Sequence, residues 1–260
     1  MSAFSDEEVE RYARHLMLRE IGGPGQQALK AARVLMVGMG GLGAPAALYL
    51  AAAGVGRLGL ADADQVALSN LQRQVLYATA DIGRDKVTAA GERLRGLNPH
   101  LSVEPHRLML DARNARGLVG GYDLVLDGTD DFTSRFAVSD ACVAEGKPLV
   151  SGAIGRWTGQ VGVFKGQPCY RCLTPEAPPD LETCAAVGVM GALAGVIGAM
   201  MALEAVKVIT GAGEALAGRL LIYDALAGET RTVRVGADPE CPTCGAGASF
   251  ETPAFADTSG

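Results

Sequence analysis

The sequence has no long run of lysine or arginine, and its 23 basic residues are outnumbered by 29 acidic ones, giving a formal net charge of −6. Without a concentrated basic surface, neither a nucleic acid nor an anionic membrane is an expected partner. Any cations that matter must be few and individually placed. The opening residues, MSAFSDEEVE, lack the basic and apolar stretches of a secretory or transit peptide. A cytoplasmic location is therefore expected, where the six cysteines read as thiols or metal ligands instead of disulfides. No internal repeat is visible. One long uncharged run does exist, Ala185 to Leu203, and by length it is a candidate membrane span. It is rich in Gly and Ala, and a span there would part Cys169 and Cys172 from Cys241 and Cys244, so a buried core helix is expected instead.

What is present fits one domain with extensions, since 260 residues at 48% hydrophobic can bury a full core. Ser5, followed by Asp6, Glu7 and Glu8, has the pattern of a capping box, which predicts a helix to about Glu20 with a break at Gly22 to Gly25. Val34 to Val37 is an apolar run of strand length, and Ala44 to Ala53 is a helix of small residues. A second strand, Arg57 to Ala61, completes a βαβ unit. Lys86 opens a helix reaching Leu97. Strands at Leu101 to Arg107 and Leu124 to Asp127 flank a polar helix. A helix over Phe132 to Glu145 leads to a strand over Pro148 to Gly152. Beyond it, Gln160 to Phe164, Arg219 to Asp224 and Thr230 to Val235 read as antiparallel strands, with a long buried helix over Val189 to Ile209. The fold class is therefore α/β: a doubly wound, mainly parallel, Rossmann-like sheet continued by antiparallel strands. We divide residues 1–244 into a nucleotide-binding part, 5–152, and a remainder, 153–244, with a flexible tail at 245–260.

The first strand ends in four glycines, Gly38, Gly40, Gly41 and Gly43. A strand that turns directly into a helix leaves N–H groups unpaired, and glycine lets a phosphate approach them. The G-x-G-x-x-G spacing first suggests a dinucleotide, with Asp62 about 20 residues on to accept from the ribose hydroxyls. A triphosphate attacked at its α-phosphorus needs more: cations around its oxygens and a carboxylate for Mg²⁺. Arg73, Lys86 and Asp130 supply that set.

Two C-x-x-C hooks, Cys169/Cys172 and Cys241/Cys244, provide the four thiolates of a closed tetrahedral zinc site that would tie the C-terminal segment to the middle of the chain. Neither hook opens a helix after a strand in this reading, which disfavours a redox pair. Cys142, inside an apolar helix, is a core residue. Cys184 falls in a loop-like segment, where a reactive thiol remains open.

RYARH at Arg11 to His15, GMGGLG at Gly38 to Gly43, DAD at Asp62 to Asp64, LSNLQRQ at Leu68 to Gln74, Lys86, TDD at Thr129 to Asp131 and the two hooks together resemble the MoeB/ThiF/HesA adenylyltransferases, bacterial relatives of ubiquitin-activating enzymes. The resemblance implies adenylation of the C-terminal Gly-Gly carboxylate of a ubiquitin-like sulfur carrier, of molybdopterin or thiamine synthesis, with release of pyrophosphate. It implies that Asp62 holds the ATP ribose, that Gly41 lets backbone N–H groups meet the phosphates, and that Asn70, Arg73 and Lys86 contact phosphate oxygens with Gln74 nearby. Asp130 would hold Mg²⁺, and Arg14 would reach into the partner subunit's site in an obligate homodimer. Cys184 matches the position at which thiamine-branch enzymes link covalently to the carrier, although its surroundings look closer to the molybdopterin branch. His15 stands where the family often has Gln, and Gly128 where the molybdopterin branch often has Cys. No rhodanese-like domain follows Cys244, so a separate sulfur donor is expected. The competing reading is an NAD-dependent oxidoreductase with the same fingerprint.

Overall fold

A computed structural model of the chain describes residues 4–177 and 188–248. The described chain starts with α1 (Asp6–Arg11), α2 (Ala13–Leu16) and α3 (Gly22–Ala31), then β1 (Arg33–Val37), α4 (Gly43–Ala53) and β2 (Arg57–Ala61). It continues through α5 (Lys86–Leu97), β3 (Ser102–His106), α6 (Ala115–Val119), β4 (Leu124–Asp127), α7 (Phe132–Ala144), β5 (Leu149–Gly155) and β6 (Thr158–Phe164). The short α8 (Tyr170–Leu173), the long α9 (Gly191–Thr210), β7 (Arg219–Asp224) and β8 (Glu229–Arg234) follow.

One eight-stranded sheet runs β3-β2-β1-β4-β5-β6-β7-β8. The first five strands in that order pair in parallel, and β5 onward pair antiparallel. Strands buried on both faces read as unbroken apolar runs, and β1 shows why. Val34 and Met36 enter the core under α4, α5 and α9, while Leu35 and Val37 enter the other layer with residues of α6, α7 and α8. The order 3-2-1-4-5 reverses between β1 and β4, so the carboxyl ends of those strands open a crevice.

The N-terminal helix departs from expectation. Its capping box is present, with Glu8 N–H donating to Ser5 Oγ at 3.2 Å and Ser5 N–H to Glu8 Oε2 at 2.9 Å. It nevertheless stops at Arg11, because Tyr12 turns inward and its hydroxyl accepts from Asn98 Nδ2 at 2.8 Å. The glycines expected to break the chain instead begin α3. Pro24 falls in its first turn, where a missing N–H costs no helix bond, and buried Gln26 and Leu29 anchor the rest.

By length and composition α9 could cross a membrane. Its small residues instead permit close packing: a Cβ at Gly198 would meet Pro45 of α4 at 2.5 Å, and one at Gly159 of β6 would overlap Ile197. Leu193, Ala194, Ile197, Met201 and Ala205 are buried on that face, and even Glu204 is buried, accepting from Leu216 N–H at 2.7 Å.

Candidate functional site

The crevice at the β1/β4 reversal is a cleft of about 690 Å³. Gly38, Gly40, Gly41, Asp62, Arg73, Gln74, Lys86 and Asp130 all line it. The loop after β1 is held against the loop after β4, for Gly38 has φ +82° and a Cβ on it would come within 3.0 Å of the Gly128 backbone. Gly43 does not line the cleft, yet it is the stricter position, since a Cβ there would overlap the Gly38 carbonyl oxygen. A Cβ at Gly41 would meet Ala194 Cβ at 3.3 Å and the Arg73 stem at 3.7 Å, with no overlap, so the bare chain demands less of it.

Asp62 closes β2 with both carboxylate oxygens engaged. Met39 N–H donates to Oδ2 at 2.7 Å and Asp64 N–H to Oδ1 at 2.8 Å. Burial raises this carboxyl above its ordinary range, against the opposing influences of Lys86 and of those two N–H donors. Lys86, at the first position of α5, is itself buried and sends its ammonium 2.8 Å from Asp64 Oδ2 and 3.9 Å from Asp62 Oδ2. Asp64, to which the sequence assigned no role, is thus the close partner of the lysine.

Arg73 leaves its guanidinium held only locally, Nη1 donating to Ser69 O at 3.0 Å. Gln74 is buried at the cleft wall, and its Oε1 has no hydrogen-bond partner. Asp130 is exposed at the cleft mouth. Besides Gly43, two assigned residues lie outside the cleft lining. Asn70 folds back to accept from Ala67 N–H at 3.1 Å and is outside the cleft lining. Arg14 is exposed on α2, also outside that lining, and Cys184 lies outside the described residues.

Beneath Asp130 lies a network that the sequence did not reveal. Asp127, fully buried at the end of β4, accepts from Thr129 N–H at 3.0 Å, Thr129 Oγ1 at 2.6 Å and Ser151 Oγ at 3.2 Å. Arg135, one turn into α7, places Nε 3.5 Å from Asp127 and donates to Gly152 O at 2.9 Å and to Thr129 O. Burial works against its charge, but the Asp127 carboxylate beside it prevails and holds the guanidinium firmly protonated. An Arg in an apolar helix was the only sequence signal, and its partner is fixed by the β4–α7 packing.

The four hook cysteines converge. Their sulfurs all lie within 4.8 Å of one another, with Cys169 to Cys241 at 3.6 Å and Cys172 to Cys244 at 3.4 Å. A tetrahedral zinc with bonds of about 2.3 Å requires sulfurs about 3.8 Å apart, so these thiols can close around one such ion. One ground for setting a redox pair aside is corrected: Cys169 does cap a helix, the single turn of α8. The third and fourth sulfurs beside that pair favour a metal instead. Cys142 is buried, as its helix predicted.

The ThiF family profile matches residues 12–243. The chain is 48% identical over 251 residues to the sulfur carrier protein adenylyltransferase of Thermus thermophilus, covering 93% of each. It is 49% identical over 249 residues to the probable adenylyltransferase/sulfurtransferase MoeZ of Mycobacterium tuberculosis, covering 93% of this chain and 64% of MoeZ. Against SAMP-activating enzyme E1 of Haloferax volcanii, identity is 47% over 243 residues, with 92% and 90% covered. Among solved structures, Escherichia coli MccB with MccA-N7isoASN shares the fold, at a TM-score of 0.81 and 23% identity, over 93% of this chain and 75% of that one. A profile match across residues 12–243, joined to near-half identity over 93% of a relative's length, places the chain in the ThiF family.

Proposed function

We propose that the chain is an ATP-dependent adenylyltransferase that activates the C-terminal Gly-Gly carboxylate of a ubiquitin-like sulfur carrier. The observation that carries this reading is the set lining one cleft: Arg73, Lys86 and Asp130 facing the glycine turn beside Asp62. Hydride transfer gives the two cations and the exposed carboxylate no task, which disfavours the NAD-dependent alternative. In the reaction, a carrier carboxylate oxygen forms a bond to the α-phosphorus of ATP, and the bond from that phosphorus to the bridging oxygen breaks, releasing pyrophosphate. The attacking group is ionised at neutral pH, so charge neutralisation and alignment suffice without a general base. Arg73 and Lys86 contact phosphate oxygens with Gln74 at the wall, Asn70 shapes the loop that carries Arg73, and Asp130 holds Mg²⁺. Zinc occupies the four cysteines. Cys184 acts after adenylation, the sulfur comes from a separate donor, and the protein works in the cytoplasm. Pyrophosphate exchange into ATP that requires a Gly-Gly-ending carrier tests the reading. Tight NADH binding with no exchange for any such carrier would overturn it.

The working state on this reading is a homodimer in which Arg14 completes the partner's cleft. Supporting it, Tyr49 of α4 and Val196 and Leu203 of α9 are large apolar side chains left exposed, Leu203 at 64%, and a partner subunit would cover such side chains. Coexpressing Arg14→Ala with Arg73→Ala checks the arrangement. Each homodimer should be inactive, whereas random mixing regenerates one intact site in each mixed dimer, about a quarter of all sites. No recovery would place Arg14 outside a shared site.

Asp62 gives a pH dependence. Its folded value lies above the unfolded one, so its contribution to stability falls as pH rises through the window between them. Binding runs the other way, because ribose hydroxyls need the ionised acceptor. Nucleotide affinity, measured calorimetrically, should therefore decline on acidification before ordinary aspartates protonate, and Asp62→Asn should abolish that step.

A further inference from the structure

Each cysteine hook carries one polar residue between its cysteines, Arg171 in the first and Thr243 in the second. Both reach the same carboxylate. Arg171 donates from Nε to Asp140 Oδ1 at 2.9 Å and from Nη2 to Oδ2 at 2.8 Å, while Thr243 Oγ1 donates to Oδ1 at 2.7 Å. Thr243 is only 4% exposed, so its hydroxyl is committed to that bond. The Arg171 guanidinium also lies over the ring of Phe136 at 4.2 Å. Phe136 and Asp140 stand four residues apart on one face of α7, and together they fix that guanidinium from two directions. The hooks are 72 residues apart in sequence, and ordering two such distant segments around an ion costs loop-closure entropy. Four thiolates on a divalent ion also leave net negative charge, which the adjacent guanidinium offsets.

The geometry points to Asp140 as the positioning residue of the metal site, a single carboxylate on α7 that grips both hooks and holds their sulfurs in place. This rests on the reading of the four cysteines as a zinc site. Residues that orient metal ligands in this way commonly set affinity by about 10–100-fold. The test uses the full chain loaded with zinc and follows release to a chromophoric chelator. Asp140→Ala should release zinc about 10–100-fold faster than the parent chain. Thr243→Val, which frees the second hook alone, and Asp140→Asn, which ends the two-oxygen pairing with Arg171, should fall between, and both keep the assay decisive if Asp140→Ala does not fold. Glu145→Gln serves as control, since it breaks an ion pair of the residue capping α7 with Arg116 and should leave release unchanged. Parent-like release from folded Asp140 variants, or equal acceleration in the control, would overturn the clamp while leaving the zinc reading intact. A parent chain that takes up no zinc would overturn both.

Discussion

Arg73→Ala should lower carrier-dependent pyrophosphate exchange by about 10³-fold or more, the range found when a cation or donor aimed at transition-state charge is removed. Little else should change. The side chain is half-exposed, its one hydrogen bond runs to Ser69 O four residues back, and its stem lies beside Gly41. Losing so local an interaction is expected to leave the thermal midpoint near that of the parent chain. The position differs in this respect from Lys86, which is buried and lies 3.9 Å from the largely buried Asp62 carboxylate, so that its removal would take away a neighbouring counter-charge within the fold as well as the proposed phosphate contact. Full exchange activity in a folded Arg73→Ala protein would remove Arg73 from the chemistry and with it the chief argument for a triphosphate.

Arg135→Ala should produce the largest loss of stability, about 3–5 kcal/mol by denaturant titration, because it leaves Asp127 as a buried charge without its counter-ion. The penalty belongs mainly to the stranded carboxylate. Adding Asp127→Asn should therefore recover part of it, and the cycle of single and double variants isolates the pair's coupling. Activity should fall with stability, since Arg135 binds the Thr129 carbonyl immediately before Asp130. Equal stability losses for Arg135→Ala with and without Asp127→Asn would show that the pair is not coupled.

The site was more legible than the N-terminal helices. Gly38 to Gly43, Asp62 and Asp130 could be singled out because they follow apolar runs that mark strand ends, and Arg73 and Lys86 because a triphosphate would need cations around its oxygens. The α1/α2 break was not legible, because it follows from Tyr12 finding Asn98, a contact across 86 residues. The glycines of α3 misled for a related reason: a helix start tolerates residues that a helix interior does not.

By itself, the sequence determined the alternation of strands and helices, the glycine turn after the first strand and the two cysteine hooks, since each depends on residue type at short spacing. Only the tertiary structure decided what those pieces share. It aligned β1 against β4 so that the glycine turn faces Asp130 and Arg135 locks to Asp127 beneath it, and it brought Cys169 and Cys172 to Cys241 and Cys244 under one carboxylate of α7. Such partnerships are set by which elements pack together, a property of the whole buried core that no local spacing encodes.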